Sequence, residues 1–72
     1  MSITREQVKA ARNLLDWWQS DLAERVGVSE GTIRSFESGE LRASLDLDRV
    51  RFVLESVGVE FPVGGAVLRK GG

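Results

Sequence analysis

Apolar residues recur along this chain in four bursts at helical spacing, followed by a stretch that alternates. In the first burst Val8, Ala11 and Leu15 share one face. Thr4, with Gln7 three residues later, is a capping-box pattern that satisfies orphan amides at a helix start, and Ile3 is placed to staple the approach to it. These signals predict a helix over 5–16. Leu22, Ala23 and Val26 mark a second, short helix over 19–26, closed by Gly27 where positive φ is cheapest. Ser29 is a cap for a third helix over 30–38 with Ile33 and Phe36 inward, ended by Gly39.

Ser44 is the expected cap of a fourth helix, with Leu47, Val50, Val53 or Leu54, and Val57 turned inward and Asp46 and Asp48 in its first turn. Gly58 stops it. Beyond that point "VEFPV" and "AVLR" flank Gly64-Gly65, a two-residue loop that predicts a hairpin pairing Val63 with Ala66 and Phe61 with Leu68. Pro62 has no amide hydrogen, so its strand should be an edge or face outward there.

Composition narrows what such a chain does. With 72 residues, 42% of them hydrophobic and 29% charged, it reads as a single domain, a core over 4–58 and a C-terminal strand or hairpin over 59–69. A chain this short buries only about 60% of the surface its unfolded form exposes, so a homodimer partner is the expected supplement. Cysteine and histidine are both absent, which removes thiolate zinc sites, disulfides and the commonest general base. Asp46 and Asp48, two apart on a helix, point in different directions and do not make a catalytic pair. "VGGAVLRKGG" precedes no helix and so is no phosphate cradle. No enzyme, cofactor, metal or small-molecule ligand is therefore expected. The chain has no apolar run of the roughly 20 residues a membrane span needs, and a soluble, cytoplasmic protein is the expectation. Net charge is −1, and between Gln19 and Arg42 five acidic residues outnumber three basic ones.

The joint between the second and third helices carries the most information. Ala23 is small where a crossing helix must come close, Gly27 supplies the turn, and Leu22, Val26, Val28, Ile33 and Phe36 fill the core-facing positions. This constellation resembles the helix-turn-helix of Cro and phage-repressor type transcriptional regulators. "ITREQVKAARNLLDW" is similar to that family's first helix, "QSDLAERVGVSEGTIRSFESG" to its second and third, and "SLDLDRVRFVLESVGVEF" to the following helix and short strand. The resemblance implies an all-α, four-helix lambda-repressor-like fold with a short C-terminal β-strand or hairpin. It implies a bacterial or phage DNA-binding protein, repressor-like, that binds double-stranded DNA as a homodimer with its third helix in the major groove.

It also says where contacts should fall. Glu30, Gly31, Arg34 and Ser35 come to the base edges, and Gln19, Ser20, Ser29, Thr32 and Arg42 to the phosphates. Arg34 is the strong candidate for guanine, since a guanidinium reaches O6 and N7 together. Glu30 has two readings, a cytosine N4 acceptor or an acid that favours the helix dipole. Gly31 either lets the backbone approach DNA or has no such role. Trp18 stands where a cap is needed and an indole cannot accept amide bonds. The Trp17-Trp18 pair is either a stacking platform for single strands, or core packing by Trp17 with Trp18 at the rim or beneath a partner subunit. Trp18 and the acidic middle third also support an alternative from another class, a helix-turn-helix fold used as a protein-interaction module, antitoxin-like or adaptor, without strong DNA binding.

Overall fold

A computed structural model describes residues 3–40 and 45–69. It contains α1 (Arg5–Leu14), α2 (Gln19–Val26), α3 (Glu30–Ser38), α4 (Leu47–Ser56), β1 (Val59–Glu60) and β2 (Val67–Leu68). All four helices and the terminal hairpin anticipated from the pattern are present, and the two helices around the joint have the expected bounds. Ser44 and Arg42 lie outside the described residues.

Each helix start follows from a local side chain. At α1 the capping box is complete: the Thr4 hydroxyl accepts the Gln7 amide at 3.1 Å and the Gln7 side chain accepts the Thr4 amide at 2.9 Å. Ile3, just before the cap, is buried in the same core as Val8. The helix stops at Leu14, short of the anticipated Asp16, because Asp16 turns left-handed at φ 56 and the Trp17 amide bonds back to the Arg12 carbonyl at 3.0 Å. That six-to-one bond closes a Schellman turn with aspartate, rather than glycine, in the left-handed position. Gly27 (φ 88) and Gly39 (φ 83) end α2 and α3 in the same conformation. The cap of α4 is Asp46, whose carboxylate accepts the Arg49 amide at 3.1 Å, and not Ser44. A carboxylate there satisfies the amide and also complements the helix dipole.

One core joins these elements, made of Ile3, Val8, Ala11, Leu22, Ala23, Val26, Ile33, Val50, Leu54 and Val59. Val57, expected inward, is 41% exposed, because α4 reaches its last turn at Ser56 and Val57 falls outside its apolar stripe. Arg49 is not simply solvated: its Nε donates to the Val26 carbonyl at 2.6 Å, satisfying one of the orphan acceptors at the end of α2.

The hairpin differs from expectation in register. Val59 pairs with Leu68 and Glu60 with Val67, antiparallel, so the strands meet before the anticipated Phe61–Leu68 and Val63–Ala66 partners. The turn is closed by the Gly65 amide on the Pro62 carbonyl at 3.0 Å, with Gly64 at φ 72. Its centre is therefore Val63-Gly64, one residue earlier than the paired glycines suggest, and a one-residue move of the centre changes every partner by two. The cause lies in α1. Gln7 Nε2 donates to the Pro62 carbonyl at 3.1 Å and to the Gly65 carbonyl at 2.9 Å, holding the loop open around its amide. Val63 is left at the tip, 97% exposed.

Gln7 thus ties the cap of the first helix to the last loop. Gln7→Ala removes three side-chain hydrogen bonds at one stroke, and a loss of about 2–4 kcal/mol is expected from urea denaturation at a net ~0.5–1.5 kcal/mol per bond. A change below about 0.5 kcal/mol would show that the loop is held by other contacts.

Candidate nucleic-acid interface

The pair α2 and α3 sits on α1 through a polar contact inside an otherwise apolar core. Arg12, in the last turn of α1, donates from Nε and Nη2 to both carboxylate oxygens of Glu37 at 2.9 and 3.0 Å, a two-pronged ion pair. The Glu37 side chain is 3% exposed and that of Arg12 13%. Arg12 Nη1 also donates to the Trp17 carbonyl at 2.9 Å, and Gln19 Nε2 donates to Glu37 Oε1 at 3.1 Å. Two buried charges are expensive unless every lone pair and proton is used, and here a carboxylate of α3 collects donors from α1 and from the first residue of α2. The orientation of α3 relative to both helices is thereby fixed at its C-terminal half.

In its N-terminal half Ile33 is buried while Glu30 and Arg34 face solvent. Ser29 caps it, accepting the Thr32 amide at 3.2 Å, and the Ser29 and Thr32 hydroxyls bond each other at 2.9 Å. Glu30 and Arg34 are more than half exposed and form an ion pair, Nη2 to Oε2 at 3.5 Å. Gly31 and Ser35 lie half-buried between them, and a Cβ on Gly31 would meet nothing closer than Ser29 Oγ at 3.9 Å. Nothing in the chain's own packing requires glycine there. Ser38 is turned back, donating to the Ser35 carbonyl and to Glu40.

At the start of α2 the geometry departs from a simple anion site. Trp18 provides no cap from its side chain, while Asp21 Oδ2 accepts the Trp18 amide at 2.7 Å. The protein's own carboxylate occupies the place where a helix N-terminus would favour a phosphate. Trp18 is 76% exposed and Ser20 is exposed beside it. Trp17 is half-buried against the core, with the Arg25 guanidinium 4.3 Å above its ring, a cation-π contact. Arg12, Asn13, Asp16, Trp17 and Trp18 line a cleft of about 220 Å³ between them.

Glu30, Gly31, Thr32, Arg34 and Ser35 therefore share α3, Ser29 caps it, and Gln19 and Ser20 stand at the start of α2. A profile of the helix-turn-helix family matches residues 8–62 of the 72. The chain belongs to the helix-turn-helix family, of the Cro and phage-repressor type. A search of curated proteins finds no match. The family is one of DNA-binding regulators rather than of enzymes, and this helix-turn-helix protein is a DNA-binding regulator in that general sense. Among the described residues no helix is long and apolar enough to cross a membrane.

Sequence reasoning missed the Arg12–Glu37–Gln19 cluster, although a signal was present. Glu37 follows Ile33 by four residues and Arg12 follows Val8 by four, so each charge sits at a core-facing phase of its helix, with opposite sign. Glu37→Ala should cost about 3–5 kcal/mol in denaturant unfolding, because it leaves the Arg12 guanidinium buried without a partner. The double change Arg12→Met with Glu37→Leu should recover most of that loss; equal losses in the two variants would show that the pair acts through packing volume alone.

Proposed function

We propose that this helix-turn-helix protein is a sequence-specific transcriptional repressor that binds a palindromic duplex as a homodimer. In this reading α3 enters the major groove, with Arg34, Glu30, Gly31 and Ser35 at base edges. Gln19, Ser20, Ser29, Thr32 and Arg42 meet the phosphates. The observation that carries it is the difference in exposure along α3: the Glu30 and Arg34 side chains are more than half exposed while Ile33 and Glu37 of the same helix are buried. A rigid helix with one anchored and one open side suits groove insertion.

Polar groups already engaged within the chain still have capacity for DNA. The Gln19 amide nitrogen carries two hydrogens, one of which goes to Glu37, leaving the other for a phosphate oxygen. Of the two hydroxyls shared by Ser29 and Thr32, one donates to its neighbour and the other hydrogen is free to reach outward. Gly31 has room for a side chain, so its bare backbone has a use only if another molecule comes close.

The charge balance sets the character of binding. On α2 and α3 the cations are Arg25, stacked on Trp17, and Arg34, paired with Glu30. Each neutralised phosphate contributes about 0.9 to the slope of log affinity against log salt, so a shallow slope of only a few units per monomer is expected. Arg34→Ala should weaken binding to a selected duplex by ~10-fold or more and relax preference at one base pair. Titrations from low to moderate salt check both, and a steep slope would refute the groove contact as drawn.

A protein-interaction module is the second reading, favoured by one observation: Trp18 is three-quarters exposed beside Asp21, a poor surface to hold against phosphates. Arg34→Ala and Trp18→Ser separate the two. Loss of duplex binding only in the first variant favours the repressor, whereas a wild type that enriches no duplex from a random pool favours the module.

Among the described residues, the surfaces open to a second copy include the Val63 tip of the hairpin and the outer side of α4, where Phe52 is 71% exposed. Because Phe52 stands on a ten-residue helix and Val63 at the tip of a hairpin of two-residue strands, Phe52→Glu is expected to shift sedimentation from dimer to monomer while Val63→Ser does not. The opposite pattern would move the interface to the hairpin.

A further inference from the structure

Glu30 and Arg34 are paired tip to tip across one turn of α3, glutamate N-terminal to arginine, the favourable order for an intrahelical ion pair. Arg34 is the sole cation of α3, and it is not left free to attract phosphates indiscriminately. The contact separates Nη2 from Oε2 by 3.5 Å. Stacked base pairs are about 3.4 Å apart along the duplex axis. An arginine tip and a glutamate tip held in contact can therefore reach two neighbouring base pairs.

We infer that Glu30 and Arg34 act as a single reader of one base step, Arg34 taking guanine O6 and N7 and Glu30 accepting from the N4 amino group of a cytosine in the adjacent pair. This rests on the DNA-binding reading above and adds what the site selects. The physical reason is the carboxylate. In a major groove edged by phosphates, a glutamate that finds no donor is desolvated, repelled and left without compensation for the water it gives up. A cytosine N4–H₂ supplies the missing donor, and a neighbouring guanine holds the guanidinium without breaking the ion pair. On any other duplex Glu30 cancels the attraction that Arg34 alone would exert. The same residue therefore favours one step and suppresses binding elsewhere, which is how specificity is built from a repulsive element as well as an attractive one.

The test is a random-pool duplex selection with the wild type, followed by titrations of the selected duplex and an unrelated one against wild type, Glu30→Ala, Glu30→Gln and Arg34→Ala. The wild-type site should contain cytosine and guanine in adjacent pairs, and replacing that C·G pair by T·A should weaken wild-type binding ~10-fold. Glu30→Ala should reduce this discrimination below about 3-fold while preference at the guanine remains. Glu30→Gln should raise affinity for the unrelated duplex on the order of 5-fold, by unmasking Arg34. Circular dichroism of the variants controls for loss of the helix. Unchanged base preference in Glu30→Ala, or unchanged affinity of Glu30→Gln for the unrelated duplex, overturns the inference while leaving DNA binding intact. A wild type that enriches no duplex overturns the DNA-binding reading, and the inference falls with it.

Discussion

The arrangement of the helix-turn-helix depends on a buried carboxylate. Glu37 draws two hydrogen bonds from Arg12 and one from Gln19, so three helices converge on its two oxygens. Apolar contacts among Leu22, Ala23, Val26 and Ile33 would hold α2 against α3 at many similar angles, since hydrophobic packing tolerates small slips. A bidentate ion pair tolerates few, because a guanidinium and a carboxylate must stay coplanar to keep both bonds. Directional bonding inside the core thus sets the pose of the exposed helix, and packing around it supplies the stability.

The outer surface follows a different economy. On α2 and α3 the cations are matched by carboxylates or rings: Arg34 with Glu30, Arg25 over Trp17, and the α2 N-terminus with Asp21. A strongly basic surface would gain affinity from counterion release on any duplex. A surface neutralised in this way gains little from that source. In the proposed reading, recognition of DNA then comes from matched donors and acceptors, where the fixed pose of α3 matters most.

Much of this was legible in the sequence, for identifiable reasons. Helix ends were readable at Thr4, Ser29, Gly27 and Gly39 because caps and left-handed turns are local chemistry. The cap of α4 was misplaced to Ser44 because Asp46 offers an equally good acceptor two residues later, and local rules do not rank the two. The hairpin register failed for a non-local reason. Gly64-Gly65 carried the stronger turn signal, yet the two carbonyls held by Gln7 move the centre to Val63-Gly64. Asp16 in a left-handed turn likewise escaped, since aspartate marks that position far less often than glycine. At the candidate interface, the residues of α3 came from the family resemblance, whereas the buried Arg12–Glu37 pair required noticing two charges at apolar phases.

The clasp of Gln7 on Pro62 and Gly65 spans 55 and 58 positions of chain. Contacts of that separation form late, after the cost of closing a long loop has been met. The first helix and the last turn are consequently one cooperative unit. Amide exchange in α1 should not proceed by simple fraying from its beginning, because releasing Thr4 and Gln7 also releases the hairpin. A protein with so small an interior gains from this circular fastening: neither α1 nor the hairpin is an independent place for unravelling to begin.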